Sequence, residues 1–153
     1  NLYGGIKTFV KYIGADNKPH RPYVIHRAPA GTHERFVAFL IEHFGAAFPT
    51  WLAPVQAKVI PISEQVLPYA NKLVEEMRKR FIRAEVDDSN DSINKKIRTN
   101  TKKKIPNLVI VGERESESQE ITLRRYGIEN QQTMKKDDFF QWIEDKIKTR
   151  ALN

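Results

Sequence analysis

Leu108-Val109-Ile110-Val111-Gly112 is four aliphatic residues in a row closed by a glycine. A run this short and this apolar reads as a strand buried on both faces, the kind found where helices cover a sheet from either side. Working back from it, Ala57 to Ile62 is a second apolar run of strand length, and Arg83 to Asp87 a third. Between those two, Val66, Tyr69, Ala70, Leu73, Val74 and Met77 recur at helical spacing over about Glu64 to Arg80. A basic helix follows Asp91, which stands where a capping carboxylate belongs. Working forward, the polar stretch Glu113 to Ser118 connects to Gln119–Arg124, which alternates as a partly exposed strand. A last helix spans about Lys135 to Thr149, burying Phe139, Trp142, Ile143 and Ile147. The order β-α-β-α-β-β-α predicts an α/β domain over residues 55–153. Its sheet is mixed and mostly parallel, of about five strands, with helices on both faces.

Residues 1–54 follow a different pattern. Phe9 to Ile13 and Tyr23 to His26 read as strands of a hairpin around Gly14 to Pro19. Thr32 then caps a helix with Glu34 in its first turn, where the dipole favours an acid. Phe36, Val37, Leu40, Ile41 and Phe44 make a wide apolar face, and Gly45 and Pro49 end the helix. Two strands and one apolar helix bury too little surface to stand alone. The expectation is a fragment whose packing partners precede Asn1, and the 32–48 helix face is a candidate site of aggregation or artificial dimerisation.

Forty per cent hydrophobic and 29% charged residues make a globular balance, with no apolar run near the roughly 20 residues needed to cross a bilayer. The chain has no cysteine, which excludes disulfides, thiolate chemistry and cysteine-bound zinc within it and suggests a cytoplasmic protein. The net charge of +7 is concentrated. Residues 92–104 hold Lys95, Lys96, Arg98, Lys102, Lys103 and Lys104 with no acid, a local +6. Such a focused field either contacts nucleic acid or is a solvated lysine-rich helix face.

Glycine-rich phosphate loops, dinucleotide fingerprints, His-Glu-x-x-His and Gly-x-Ser-x-Gly are all missing. What remains is the strand-to-helix unit Ile25-His26-Arg27-Ala28-Pro29-Ala30-Gly31-Thr32-His33-Glu34-Arg35-Phe36. His26 suits either a hydrogen-bonded strand histidine or a metal ligand. Arg35 lies in the first helical turn, where the dipole disfavours a cation; it answers either to a structural salt bridge or to an anionic ligand held by its guanidinium.

The chain resembles the threonyl-tRNA synthetases. His26-Arg27-Ala28, Gly31-Thr32, Glu34-Arg35-Phe36, Leu40-Ile41-Glu42-His43 and Phe48-Pro49-Thr50-Trp51-Leu52-Ala53-Pro54-Val55-Gln56 are similar to their third class-defining motif and its link to the anticodon domain. The likeness continues through Asp87, Asn90, Lys96-Ile97-Arg98, Ile105-Pro106 and Val111-Gly112-Glu113-x-Glu115. It implies the C-terminal end of a class II catalytic domain over 1–54 and a class IIa anticodon-binding domain over 55–153. It implies that Arg35 binds ATP phosphates, that Thr32 lies near the substrate, and that His26 is one of three zinc ligands. The other two, a cysteine and a histidine, belong upstream, so the resemblance predicts that this chain alone neither binds zinc tightly nor makes threonyl-adenylate.

In the same way it implies anticodon readers at Asn90, Glu115 and Arg124, whose amide, carboxylate and guanidinium groups suit the edges of unstacked bases. Lys104 stands where an arginine is usual; without the bidentate fork its expected contact is a phosphate. Lys95, Lys96, Arg98, Lys102 and Lys103 are expected to face tRNA phosphates. The implied partners are tRNA(Thr), ATP with Mg, threonine and, for the full-length enzyme, a second copy of itself. Two other classes compete: an adaptor using an anticodon-type domain without aminoacylation, which has no need of the 26–35 segment, and an unrelated α/β small-molecule binder, for which no pocket fingerprint is found.

Overall fold

The computed structural model describes residues 10–23, 25 and 27–152. His26, and with it the expected zinc ligand, lies outside the described residues, as do Phe9 and Val24 of the expected hairpin strands. Packing divides the chain into two compact units, Asn1–Phe39 and Leu40–Asn153.

In the first unit, β1 (Tyr12–Ile13) pairs antiparallel with β2 (Pro19–His20). The return strand thus starts earlier than the expected Tyr23. The loop is short because Asn17 takes a left-handed φ of 60° and Gly14 N–H donates to the Lys18 carbonyl at 3.0 Å. Helix α1 (His33–His43) begins as expected: the Thr32 carbonyl accepts Phe36 N–H at 3.0 Å. It buries none of its residues, and Phe36, Val37, Phe39 and Ile41 are all exposed.

The second unit is the sheet domain. Its strands are β3 (Ala57–Pro61), β4 (Ala84–Val86), β5 (Asn107–Val111), β6 (Glu120–Arg125) and β7 (Gln132–Lys135), in the order β4-β3-β5-β6-β7. The β4–β3 and β3–β5 ladders are parallel, and the β5–β6 and β6–β7 ladders antiparallel. The mixed sheet follows the expectation, but β7 was not read from the sequence: Gln132-Thr133-Met134-Lys135 is polar, and only Met134 leans on the core. It makes the ladders two parallel and two antiparallel. Alternation in the central strands separates two cores. Val59, Val109 and Val111 join α2 (Leu67–Lys79) and α5 (Lys136–Lys148), whereas Ile60 and Leu108 pack with Ile93 and Ile97 of α3 (Ile93–Lys102). The Glu113–Ser118 connector is a short helix, α4. In α5, Phe139 and Ile143 are buried as expected, Trp142 and Ile147 are half-buried, and Phe140 joins them at 1% exposure.

The compact units divide at Phe39, earlier than the residue 54 read from the sequence. Residues 45–53 are bonded to the sheet domain. Asn107, 1% exposed, donates its amide to Thr50 Oγ1 (3.0 Å) and to the Gln56 carbonyl (2.8 Å). The Arg83 guanidinium holds the carbonyls of Trp51 (3.0 Å) and Ala53 (2.9 Å), and Lys104 Nζ donates to the Gly45 carbonyl.

Candidate nucleic-acid interface

The three parallel strands end at one edge of the sheet, and the candidate site begins there. After β4 the chain turns through Asp87–Asp91 into α3. Asn90 is exposed on that turn, with no hydrogen bond from its side chain among the described residues. It lines a cleft of about 490 Å3 together with Ile62, Ser63, Glu64, Asp88 and Asp91. Asp87 organises the turn. Its carboxylate accepts Ser89 Oγ (2.7 Å), Ser89 N–H (3.3 Å) and Asn100 Nδ2 (2.5 Å). Burial opposes ionisation of Asp87, but these hydrogen bonds from Ser89 and Asn100, with the charge of Lys96, outweigh it and hold the carboxyl below its ordinary value.

Glu115 lies at the same edge. Its Oε2 accepts Gly112 N–H at 3.2 Å, closing the first turn of α4. A Cβ on Gly112 would stand 2.8 Å from that oxygen and 3.0 Å from Ile62 Cδ1, so a side chain here would push the Glu115 carboxylate and the Ile62 tip aside. Ile62 also lines the Asn90 cleft, so it stands beside both the Gly112 turn and Asn90. One carboxylate oxygen of Glu115 is thus committed to structure.

Arg124 is placed differently. It sits opposite Leu108 in the β5–β6 ladder, three residues back from Val111, or roughly 10 Å along the strand. Its neighbours Ile121 and Leu123 face the α2/α5 core, so Arg124 lies on the α3 side. There it lines a surface cleft with Asn94, Ile97, Arg98, Thr101 and Lys102. Asn94, Arg98 and Lys102 are four residues apart, one stripe along α3. That stripe runs from the Asn90 turn to Arg124 and joins the two ends of the site. Beside it, Thr122 and Thr133 meet across β6 and β7 at 3.4 Å on the same side of the sheet.

The six cations of 92–104 are not equivalent. Arg98, Lys102 and Lys103 are exposed and make no ion pair or side-chain hydrogen bond among the described residues. Lys95 pairs with Asp91 at 2.8 Å, so Asp91 spends its carboxylate on this pair rather than capping α3, whose N-cap is Ser92. Lys96 departs from its expected phosphate contact: it is 8% exposed, and its amine donates inward to the Asp87 carbonyl at 3.3 Å. Lys104, half-buried, sits at φ 56° just past the end of α3 and spends its amine on Gly45.

In the first unit, Thr32 caps α1, its Oγ1 accepting Arg35 N–H at 3.4 Å. The Arg35 stem lies back over Gly31, and among the described residues Arg35 makes no ion pair. No group of three His, Asp or Glu that could hold a metal occurs among the described residues, and no helix among them is long and apolar enough to cross a membrane.

Asn94, the Asn100–Asp87 bond and the threonine pair on β6–β7 were not singled out from the sequence. The four-residue spacing from Asn90 through Asn94 and Arg98 to Lys102 was the available signal for the first. A strand-helix domain with a cationic stripe beside an open polar sheet face defines a basic mixed α/β module. Residues 56–146 match the family described as anticodon binding domain, and the chain belongs to that family. It is 45% identical over 138 residues to the threonine–tRNA ligase of Azobacteroides pseudotrichonymphae genomovar. CFP2, covering 90% of this chain and 21% of that protein. The threonine–tRNA ligase of Geobacillus kaustophilus (strain HTA426) is 46% identical over 140 residues, covering 91% and 22%. Among solved structures, the RNA binding domain of threonyl-tRNA synthetase from Cryptosporidium parvum Iowa II superimposes with a TM-score of 0.74 at 32% identity, covering 89% of this chain and 35% of that one. The chain spans about a fifth of the length of the curated relatives it matches.

Proposed function

We propose that this chain is the anticodon-recognition part of a threonine–tRNA ligase, the enzyme that activates threonine with ATP and transfers it to tRNA(Thr). The observation that carries the reading is the continuous path from Glu115 through Ile62, Asn90 and the α3 stripe to Arg124. An exposed amide with a half-buried carboxylate and guanidinium along one path suits the splayed bases of a single loop. In this reading Asn90 and Arg124 contact base edges, and Glu115 uses the oxygen not taken by Gly112. Arg98, Lys102 and Lys103 face phosphates, and Lys95 does so at the cost of its pair with Asp91. Lys96 and Lys104 hold the fold.

For the whole enzyme, a second copy of the protein, cytoplasmic location and ATP with Mg are part of the same proposal. Arg35, which makes no ion pair among the described residues, is the group offered to the ATP phosphates, with Thr32 setting the start of its helix. His26 would supply one zinc ligand, and one ligand does not make a tetrahedral site.

The test compares binding of the 153-residue chain to a threonine tRNA transcript and to the same transcript with its anticodon replaced. The expected result is a preference of tenfold or more for the threonine anticodon, reduced by Asn90→Ala and Arg124→Ala. Equal affinity for both transcripts defeats the reading.

A further inference from the structure

Asn90 makes no side-chain hydrogen bond among the described residues, yet the turn that carries it is held at its Asp87 end by side chains from α3. At the near end, Asp87 N–H donates to the Val59 carbonyl at 2.8 Å, which fixes the residue to the sheet. From α3, Asn100 Nδ2 donates to Asp87 Oδ2 and also to the Lys96 carbonyl at 2.9 Å. The Lys96 amine closes the loop on the Asp87 carbonyl. At the far end Asp91 meets Lys95 only in a solvent-exposed pair, which a phosphate contact by Lys95 would give up, so the hold on the turn lies at Asp87. Asn100 is 1% exposed and Lys96 8%. A lysine is seldom buried to that extent, and here its ammonium is turned into the protein from the middle of the most basic helix. Asn100 is closed off from solvent, and Lys96, though it lines the Asn90 cleft, spends its ammonium on the Asp87 carbonyl.

We propose that Asn100, acting through Asp87 with Lys96, is a positioning residue for anticodon specificity: it fixes the turn that presents Asn90, without touching the tRNA. A buried amide bonded to a carboxylate defines both the position and the orientation of the residue it holds. Only Asp88 and Ser89 separate Asn90 from Asp87, so fixing Asp87 restricts where Asn90 stands. This positions Asn90 before RNA arrives and removes the ordering cost that a mobile turn would carry into the complex. The same three side chains dock α3 on the turn, so the Asn94–Arg98–Lys102 stripe and Asn90 keep a fixed spacing. The inference rests on the anticodon reading of Asn90.

The experiment is a double-mutant cycle in the full chain, with the ratio of affinities for threonine tRNA and its anticodon-replaced form as readout. Asn90→Ala should lower that ratio about tenfold, the scale of a lost base-edge contact. Asn100→Leu should lower it several-fold, while affinity for the anticodon-replaced tRNA and its salt dependence stay unchanged. Combined with Asn90→Ala, Asn100→Leu should cost no further specificity, because it acts through the same residue. Ser89→Ala, which removes one bond to Asp87 at an exposed position, is the mild variant if Asn100→Leu fails to fold, and should show the same pattern to a smaller degree. Specificity loss that adds in the double variant, or that is matched by equal loss for both tRNAs, overturns the positioning role. If Asn90→Ala itself leaves the ratio unchanged, the assignment of Asn90 falls, and the positioning role with it.

Discussion

Replacing Phe81 by glycine should stabilise the protein. Helix α2 ends in a tight turn in which Phe81 N–H donates to the Arg78 carbonyl and Ile82 N–H to the Met77 carbonyl, both at 3.0 Å. That geometry requires a left-handed residue between helix and strand, and Phe81 supplies it at φ 61°. An L-residue there costs roughly 1–2 kcal/mol in contact between Cβ and carbonyl. The ring returns little, since Phe81 is 91% exposed, while Ile82, the next residue, is buried and does the anchoring. Glycine removes the strain but loses about 0.5–1 kcal/mol through the greater freedom of its unfolded chain. The balance is a gain of about 0.5–1 kcal/mol, or roughly 2–5 °C in Tm for a domain of this size. Phe81→Ala keeps the strained backbone and drops the ring, so it should stay within about 0.5 kcal/mol of the parent. Urea unfolding followed by tryptophan fluorescence measures both variants. A Phe81→Gly midpoint at or below that of Phe81→Ala would refute the claim that the backbone at this turn is strained. At Lys104, which has the same geometry after α3, glycine should gain less, because the substitution also removes the bond to Gly45.

Asn107→Ala should destabilise the sheet domain by about 2–3 kcal/mol, since it removes two buried hydrogen bonds, to the Gln56 carbonyl and to Thr50 Oγ1; a change below about 1 kcal/mol in urea unfolding would contradict this. Lys102→Ala should reduce the slope of log affinity against log salt for tRNA by about 1, whereas Lys96→Met should leave that slope intact and lower Tm instead. For Asp87 the folded carboxyl ionises more readily than the unfolded one, so its contribution to stability is present above the ordinary carboxylate pKa and is lost as pH falls below it through the depressed folded value. The acid-induced fall in stability of Asp87→Asn should therefore be shallower than that of the parent, as measured by urea midpoints between pH 7 and 3.

The central strands were legible because their burial leaves a mark in composition. Val109, Val59 and their neighbours face helices on both sides and must be apolar. β7 leaves no such mark: it is an edge strand whose outer residues meet solvent, so pairing with β6 rather than side-chain burial holds it. Helix α4 was hidden for a related reason, since Glu113-Arg114-Glu115-Ser116-Glu117-Ser118 has no apolar face and is stabilised by the Glu115 bond to Gly112. Within the candidate site, residue types were readable and their commitments were not. Lys95, Lys96, Lys102 and Lys104 look alike in a list of cations, yet tertiary geometry pairs one, buries another, leaves the third open and ties the fourth to Gly45.

That partition gives the basic helix two faces with opposite tasks. Ile93, Ile97 and the aliphatic stem of Lys96 face inward with Asn100, so the inner face both packs on β3 and β5 and grips the turn before it. Asn94, Arg98 and Lys102 face outward at successive turns. A single helix therefore sets where Asn90 stands and where the cations stand relative to it. Rotating α3 or shifting its register by one residue would move both together. Substitutions on the outer face should accordingly change affinity and its salt slope while specificity persists, and substitutions on the inner face should change specificity while the slope persists. If outer and inner substitutions instead produced the same mixture of the two losses, α3 would be acting only as a diffuse positive charge and its placement against Asp87 would carry no information.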